Sequence, residues 1–498
     1  MADGVLAGRP DSRPAPAARE PLIRPQSYPF FDKLLFFVLV LCVPPFVGSH
    51  WSVFRDGDVS WHVAAGRWIM EHGRVPSVDP FSFSMAGKPW VAFEWGAEII
   101  FASAFNMFSF AGLAAVVTAA LMALFAAMFW HLRKHVGPIA ILVAFAFAHV
   151  NLQPFILARP HVLAWPFLAL WTVLLLKYRE ERRVPPLWLA LLMFVWSNIH
   201  GSYFVGFLVA AALSLDAVIE AKWDRKVIGR WFLFGVLILA ATLVNANGIA
   251  GFLHPINISS METLPEIGEW KPSSFGLTPV FFLTLLGVVG ALLLRRPKFG
   301  IGELGLVLLT LLMAFTHLRH QSIFIILSTL IITPKFAGPG RALAPPMFAS
   351  AKQRYLWCVA AVVAALAIVG TRAVSSVSPG NGAQYPRVLL AHIPPELRSK
   401  PVLNEYSMGG PLILHGVKVF IDGRADMYGD AFFKDYLKIA DGDMPRFNRA
   451  VQKYGICWTM MRHIDALAPA LDKAPGWKRY FSDKIGVIHV RTDCLAKE

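Results

Sequence analysis

Two carboxylates separated by one glycine are the first candidates for chemistry in this chain. In the stretch FRDGDVSWH (54–62), Asp56 and Asp58 flank Gly57, and His62 follows four residues after Asp58. At i and i+2 in an irregular segment, two carboxylates can be directed to one site or one metal ion, and Gly57 permits the close backbone turn this needs. A positioned carboxylate acting as general base contributes about 10²–10⁴-fold to a rate. Other groups suited to proton or anion chemistry recur in short polar breaks further on: Glu94, Arg159, His161, His200, Glu269, Lys271, Arg319 and His320. The cationic members suit a phosphate, arginine through its bidentate fork. As metal ligands, Asp56 and Asp58 with a histidine suit Mg²⁺ or Mn²⁺ only where water or substrate oxygens complete the shell. Each residue also has a structural reading. The Asp pair could be a solvated loop, Glu94 a partner of Arg67 or Arg74, His200 an interhelical hydrogen-bond donor, and Arg319 a snorkelling anchor.

The elements that must position these residues are apolar. Of 498 residues, 56% are hydrophobic and 16% charged, which places the chain among polytopic membrane proteins. Its net charge of +15 falls in short clusters between apolar runs, not along one polar face, so it reads as membrane topology and excludes a nucleic-acid-binding role. Residues 1–29, rich in Pro, Ala and Arg, read as a disordered tail, and the apolar run after them as a retained first helix, since no A-x-A cleavage site follows it. Candidate membrane helices are 30–48, 111–130, 137–152, 161–176, 185–197, 202–219, 228–246, 277–294, 300–316, 321–334 and 354–371. These make about eleven spans, several shorter than the ~20 residues a perpendicular helix needs.

Charge sets the orientation. HLRKH (131–135), KYREERR (177–183), KWDRK (222–226), RRPK (295–298) and the connection from Lys335 to Arg354 are basic, and the connections between them carry at most one basic residue each. The positive-inside rule then predicts a cytoplasmic N-terminus and, with an odd number of spans, an extracytoplasmic segment 372–498. Every candidate residue named above falls on the outer side. The first outer loop, 49–110, is far longer than a connection requires. Within it, DVSWHVAAGRWIMEHG predicts an amphipathic helix lying in the membrane interface, and KPWVAFEWGAEIIF a second helix carrying Glu94.

From Pro401 the pattern changes to short strands (PVLNE, KVFID, GICWTMM, IGVIHVR) and amphipathic helices, predicting a small α/β domain of roughly 120 residues. Asn404, Glu405, Asp422 and Arg424 lie at or beyond predicted strand ends and could hold an acceptor, with a structural ion pair between Asp422 and Arg424 slightly favoured. Cys457 and Cys494 share this polar region, and sequence alone leaves open whether they pair.

The acidic pair after the first span, followed by VDPFSFS and PWVAFEWGAE, resembles bacterial polytopic proteins of the GT-C glycosyltransferase superfamily. ARPHVLAWP (158–166), WSNIHGSY (196–203), IGEWKPSSF (267–275), HLRHQSIF (317–324) and the tail motif VLNEYSMGGPLILHGVKVFIDGRADMYGD resemble a little-characterised group of that superfamily over most of the chain. Met408 departs from the aromatic residue expected before the glycine pair. The resemblance implies an α-helical polytopic protein of the inner membrane with an extracytoplasmic α/β domain. It also implies transfer of a sugar from a polyprenyl-phosphate donor to an extracytoplasmic glycan, lipid or protein acceptor. The usual catalytic carboxylate of the superfamily is an Asp or Glu of the first outer loop, here Asp56 or Asp58. Competing readings are a transporter or flippase for a lipid-linked or polar solute and a non-catalytic partner in polysaccharide assembly. Against transport, the polar groups gather at one interface instead of the midplane, and no inverted repeat is visible.

Overall fold

The computed structural model describes Leu34 and residues 53–336, 350–374 and 377–495. The predicted tail 1–29 and, Leu34 apart, the predicted first span 30–48 lie outside the described residues. The described chain opens on the acidic pair, followed by α1 (Asp58–His72) and α2 (Trp95–Leu132). Then come α3 (Pro138–Leu152), α4 (Pro160–Glu180), α5 (Ala190–Ser197), α6 (Tyr203–Glu220), α7 (Arg225–Leu243), α8 (Gly248–Ser259), α9 (Pro279–Arg295), α10 (Ile301–Thr316), α11 (Gln321–Ile332) and α12 (Ala351–Val374).

Four of these, α2, α4, α6 and α7, are long and apolar enough to cross a membrane among the described residues, not the eleven expected from hydropathy. The difference has a physical cause. Several apolar runs end after 8 to 17 residues where the backbone must turn round polar groups, as at Asn198–His200 between α5 and α6 and at His317–His320 between α10 and α11. α2 is itself bent. Phe108 and Ser109 leave helical geometry (Ser109 φ 52°), and Gly112 lies against the Ala104 carbonyl, although a straight helix would hold residues eight apart about 12 Å from one another. The chain therefore turns a corner there, and residues 95–107 form a separate arm bearing Glu98. α7 and α9 leave Phe232, Leu283, Leu286 and Leu294 exposed, an apolar surface that suits lipid more than water.

The C-terminal part carries β1 (Val402–Asn404), β2 (Trp458–Arg462), β3 (Trp477–Ser482) and β4 (Gly486–Arg491) in the order β1-β2-β4-β3. β1 pairs parallel to β2 with Val402 opposite Trp458, and the other pairs are antiparallel. Five helices accompany the sheet: α13 (Arg387–Ala391), α14 (Gly409–Leu414), α15 (Ala425–Ala440), α16 (Met444–Tyr454) and α17 (Leu467–Leu471). KVFID, expected as a strand, is not one. Asn404 takes over its pairing, receiving the Phe420 N–H at 3.0 Å and donating to the Ile421 carbonyl at 2.7 Å. Cys457 and Cys494 are joined, tying the start of β2 to the turn after β4.

Two cores meet at the long first loop. Val53 and Phe54 pack into the helical bundle with Phe101, Leu121 and Leu163, whereas Trp61, Ala65 and Trp90 pack with Leu412, Val419, Trp458 and Ile488. α1 is therefore not the interface-lying helix expected: Trp61 and His62 are buried, and α14 packs directly on it. An apolar stripe on a helix does not distinguish a lipid-facing surface from one covered by protein.

Candidate active site

Asp56 and Asp58 stand between these two cores. Asp58 donates its backbone N–H to Asp56 Oδ1 at 2.9 Å, so the first carboxylate shapes the turn that starts α1. Gly57 has ordinary helical angles (φ −66°) and is needed for space, because a Cβ there would overlap the Ser407 carbonyl. Likewise a Cβ at position 423 would overlap Asp58 Oδ1. The C-terminal part thus rests directly on the acidic turn.

Arg159 precedes Pro160, which keeps it extended (φ −124°, ψ 157°) and out of α4, pointing back at the first loop. Its Nη1 donates to Asp56 Oδ2 at 3.0 Å and to Glu269 Oε2 at 2.8 Å, and its Nη2 lies 3.0 Å from Asp58 Oδ2. Glu269, held in the tight turn Gly268–Trp270, also accepts from Arg319 Nη1 at 3.1 Å, and the Arg319 guanidinium lies 4.5 Å above the Trp270 ring. Burial would raise the Glu269 carboxyl, but Arg159 and Arg319 hold it down to about 2. Burial and the neighbouring Asp56 charge push Asp58 up to about 7 against the pull of Arg159.

A second group lies behind. Burial pushes Glu94 up to about 8 although Arg159 and Arg319 pull it down. Its Oε1 faces His200 Nε2 at 3.4 Å and its Oε2 faces His62 Nε2 at 3.9 Å. The His200 Nδ1 accepts the Ser202 N–H at 3.0 Å, so the neutral ring carries its proton on Nε2, toward Glu94. Burial holds both histidines well below their usual range, with the Arg159 charge adding to it at His62 and the Arg319 charge at His200. His62 Nδ1 lies 3.5 Å from Glu98, a buried acid that sequence reasoning missed. Its signal was present: Glu98 is one helical turn after Glu94 and faces the same way.

A cavity of about 660 Å³ opens beside these groups. Its lining combines the polar groups of Asp56, Glu269, Arg319, His161, His200 and His320 with the apolar side chains of Trp165, Leu168, Phe204, Leu277, Met313 and Ile323. His161 Nε2 lies 2.8 Å from the Phe155 carbonyl, which can only accept, so the ring donates there from a protonated Nε2. Burial with the Arg319 charge lowers His320 to about 3, so it is a neutral ring there. Among the expected site residues, the structure brings Asp56, Asp58, Arg159, Glu269, Arg319, Glu94, His62, His161, His200 and His320 together. Lys271 is exposed and its side chain is outside the cavity lining.

The four residues expected on the acceptor side do not line the cavity. Asn404 is fully buried in the backbone pairing described above. Asp422 binds Arg424 through both oxygens (2.8 and 2.6 Å), and Arg424 reaches Asp79 at 2.7 Å beneath Trp90. Glu405 accepts the Ser407 N–H at 2.9 Å and pairs with Arg462 at 3.4 Å. A polar contact not foreseen, His254 Nε2 to Asp426 Oδ2 at 3.2 Å, links α8 to the start of α15.

For a divalent cation the donor set does not fit. Among the described residues no three His, Cys, Asp or Glu side chains are grouped to hold a metal ion, and the space between Asp56 and Asp58 is filled by the Arg159 guanidinium.

A helical bundle of this kind, with a long first loop and a C-terminal α/β part, is a GT-C-like fold. The sequence matches no family model and no curated protein. Among solved structures, that of the Archaeoglobus fulgidus oligosaccharyltransferase in the apo form is similar at TM-score 0.57 and 11% identity, covering 88% of this chain and 70% of that one. That of the archaeal oligosaccharyltransferase AglB from Archaeoglobus fulgidus in complex with an inhibitory peptide and a dolichol-phosphate is similar at TM-score 0.53 and 11% identity, over 87% of this chain and 69% of that one. The Archaeoglobus fulgidus oligosaccharyltransferase tethered to an acceptor peptide containing the NVT sequon is similar at TM-score 0.52 and 11% identity, over 93% and 74%. At this identity the likeness concerns the fold.

Proposed function

We propose that the chain is a membrane glycosyltransferase that takes a sugar from a polyprenyl-phosphate donor and passes it to an extracytoplasmic acceptor. The observation that carries this reading is a cavity whose lining is both apolar and charged. Its apolar side chains suit a prenyl chain, and the same cavity presents Arg319 and neutral imidazoles, which suit a phosphate, together with Asp56. One structural neighbour is bound to a dolichol-phosphate and an inhibitory peptide and another is tethered to an acceptor peptide, which supports a lipid-linked donor and makes a peptide one acceptor to test first.

In this reading Asp56 is the base. Its carboxylate faces the cavity, with Oδ1 fixed by the Asp58 N–H and Oδ2 by Arg159, so it is oriented before substrate arrives. As the acceptor attacks the anomeric carbon, Asp56 takes its proton and the C–O bond to the lipid phosphate breaks. Arg319 keeps one terminal nitrogen for that departing oxygen while the other holds Glu269. Glu94, protonated at neutral pH, and the neutral His62 and His200 add no charge to the site.

The Cys457–Cys494 bridge supports an oxidising compartment for the C-terminal domain. With the basic connections this favours a bacterial inner-membrane protein whose N-terminus is cytoplasmic and whose residues 372–498 form the extracytoplasmic domain after a membrane domain of 30–371.

The test is reconstitution of the full chain in lipid vesicles with radiolabelled polyprenyl-phosphate sugars and sequon-bearing peptides or glycan acceptors. Asp56→Asn lowers transfer at least 10²-fold. Arg319→Ala lowers kcat/KM by about 10–150-fold, the worth of hydrogen bonds to a charged group. Wild-type levels of transfer from Asp56→Asn would remove Asp56 as the base, and saturable solute uptake with no turnover would replace this reading by the transporter.

A further inference from the structure

Three carboxylates from two separate segments close on one guanidinium. Asp56 and Asp58 reach Arg159 from the first loop, and Glu269 reaches it from the Gly268–Trp270 turn, all at 2.8–3.0 Å. The two terminal nitrogens belong to one rigid fork, so a single guanidinium engages all three carboxylates. Mg²⁺ or Mn²⁺ takes carboxylate oxygens at about 2.1 Å, and as these side chains are held, no three among the described residues are grouped to hold such an ion. Here the positive charge at their centre belongs to the chain.

Arg159 is built to stay there. Pro160 holds its backbone extended, and the side chain is mostly buried. Burial disfavours its charge, but Glu269, Asp56 and Asp58 more than offset that, so the guanidinium remains cationic at any working pH. It does not line the cavity, so it acts on substrate through Asp56 and Glu269 and is a positioning residue.

We propose that Arg159 occupies the place a divalent cation would take among Asp56, Asp58 and Glu269, so that the site aligns and neutralises its carboxylates without a metal ion. The activity arm of the test below rests on the transferase reading, and the binding arm does not. Removal of the guanidinium leaves three carboxylates facing a vacated position, which converts the site into one for Mn²⁺.

The binding arm titrates Mn²⁺ into the purified full chain in nanodiscs and follows free ion by electron paramagnetic resonance. Wild type is expected to show no bound ion that Asp56→Asn removes. Arg159→Ala gains one Mn²⁺ held at least tenfold more tightly than anything in wild type, and Arg159→Ala combined with Glu269→Gln loses it again. One Mn²⁺ bound by wild type and released by Asp56→Asn would overturn the proposal, and so would a folded Arg159→Ala protein with no gain. Should Arg159→Ala not fold, the wild-type and Asp56→Asn titrations decide alone.

The activity arm measures transfer after exhaustive chelation. Wild type keeps its turnover, and Arg159→Ala loses it and recovers part of it with Mn²⁺, a response that mere structural damage would not give. Loss of wild-type turnover on chelation, restored by Mn²⁺, would overturn the proposal. No turnover from any donor, with the binding results as expected, counts against the transferase reading and leaves the metal-free site standing.

Discussion

Glu94 gives the sharpest test of the electrostatics at this site. Its side chain sits between His200 at 3.4 Å and His62 at 3.9 Å, 12% exposed, and burial raises it from 4.5 to about 8. A carboxyl raised in the folded state favours folding fully below its unfolded value, and that contribution is lost as pH rises through the folded value. Integrating between the two values, the cost of keeping Glu94 buried grows by roughly 4 kcal/mol from pH 4 to pH 8, at about 1.4 kcal/mol per pH unit over the steep part. Glu94→Gln has the shape of the protonated acid and does not titrate. Thermal unfolding of both proteins in nanodiscs from pH 5 to pH 9 should therefore diverge, with the variant losing less stability and becoming the more stable of the two above pH 7. Transfer activity at pH 7 supplies the second readout. A protonated Glu94 is mimicked by Gln, so activity should stay within about threefold, whereas an ionised base would lose the 10²–10⁴-fold typical of that role. Parallel pH curves together with a hundredfold loss of activity would refute the assignment of Glu94 as a neutral acid.

Two further substitutions test how the acidic turn is held. Cys457→Ser opens a bridge across a sequence separation of 37, worth about 4 kcal/mol by chain entropy, so reduction or substitution should lower Tm of the C-terminal part and make transfer sensitive to dithiothreitol in wild type only. Gly423→Ala places a methyl on Asp58 Oδ1 and should cut kcat at least tenfold while leaving expression and Tm nearly unchanged, and unaltered turnover would show that the C-terminal part does not set the carboxylate geometry.

Much of the site was legible because ionisable residues beside apolar runs are costly unless used. That argument singled out Asp56, Asp58, Glu94, Arg159, His161, His200, Glu269, Arg319 and His320, and the fold brings them together beside a cavity that Asp56, His161, His200, Glu269, Arg319 and His320 line. It failed where polarity is hidden or spent locally. Glu98 stands in the apolar string AEIIF and reads as part of a helix end, yet it is buried against His62. Lys271 shares a segment with Glu269 but points to solvent, since neighbours in an irregular turn face different ways. Asn404, Asp422 and Arg424 lie near predicted strand ends, the usual place for function, but their polar atoms satisfy each other and the backbone of KVFID. Hydropathy also overcounted spans, because it reports that a run is apolar without showing whether lipid or protein covers it.

The same geometry explains why a protein would tie its first loop to its last domain. Val53 and Phe54 anchor one side of the turn in the helical bundle, and Trp61 and Ala65 anchor the other side in the core shared with Trp458 and Ile488. Asp56, Gly57 and Asp58 span the seam between the two. Neither body alone fixes both carboxylates: Arg159, itself held by Glu269, reaches them from the bundle, and Ser407 and Gly423 press on Gly57 and Asp58 from the C-terminal part. A base that must meet its acceptor within a few tenths of an ångström gains from being held on both sides. It follows that damage to the distant sheet should appear first as lost turnover. The helical bundle, which buries its own core, should still fold and keep the apolar lining of the cavity.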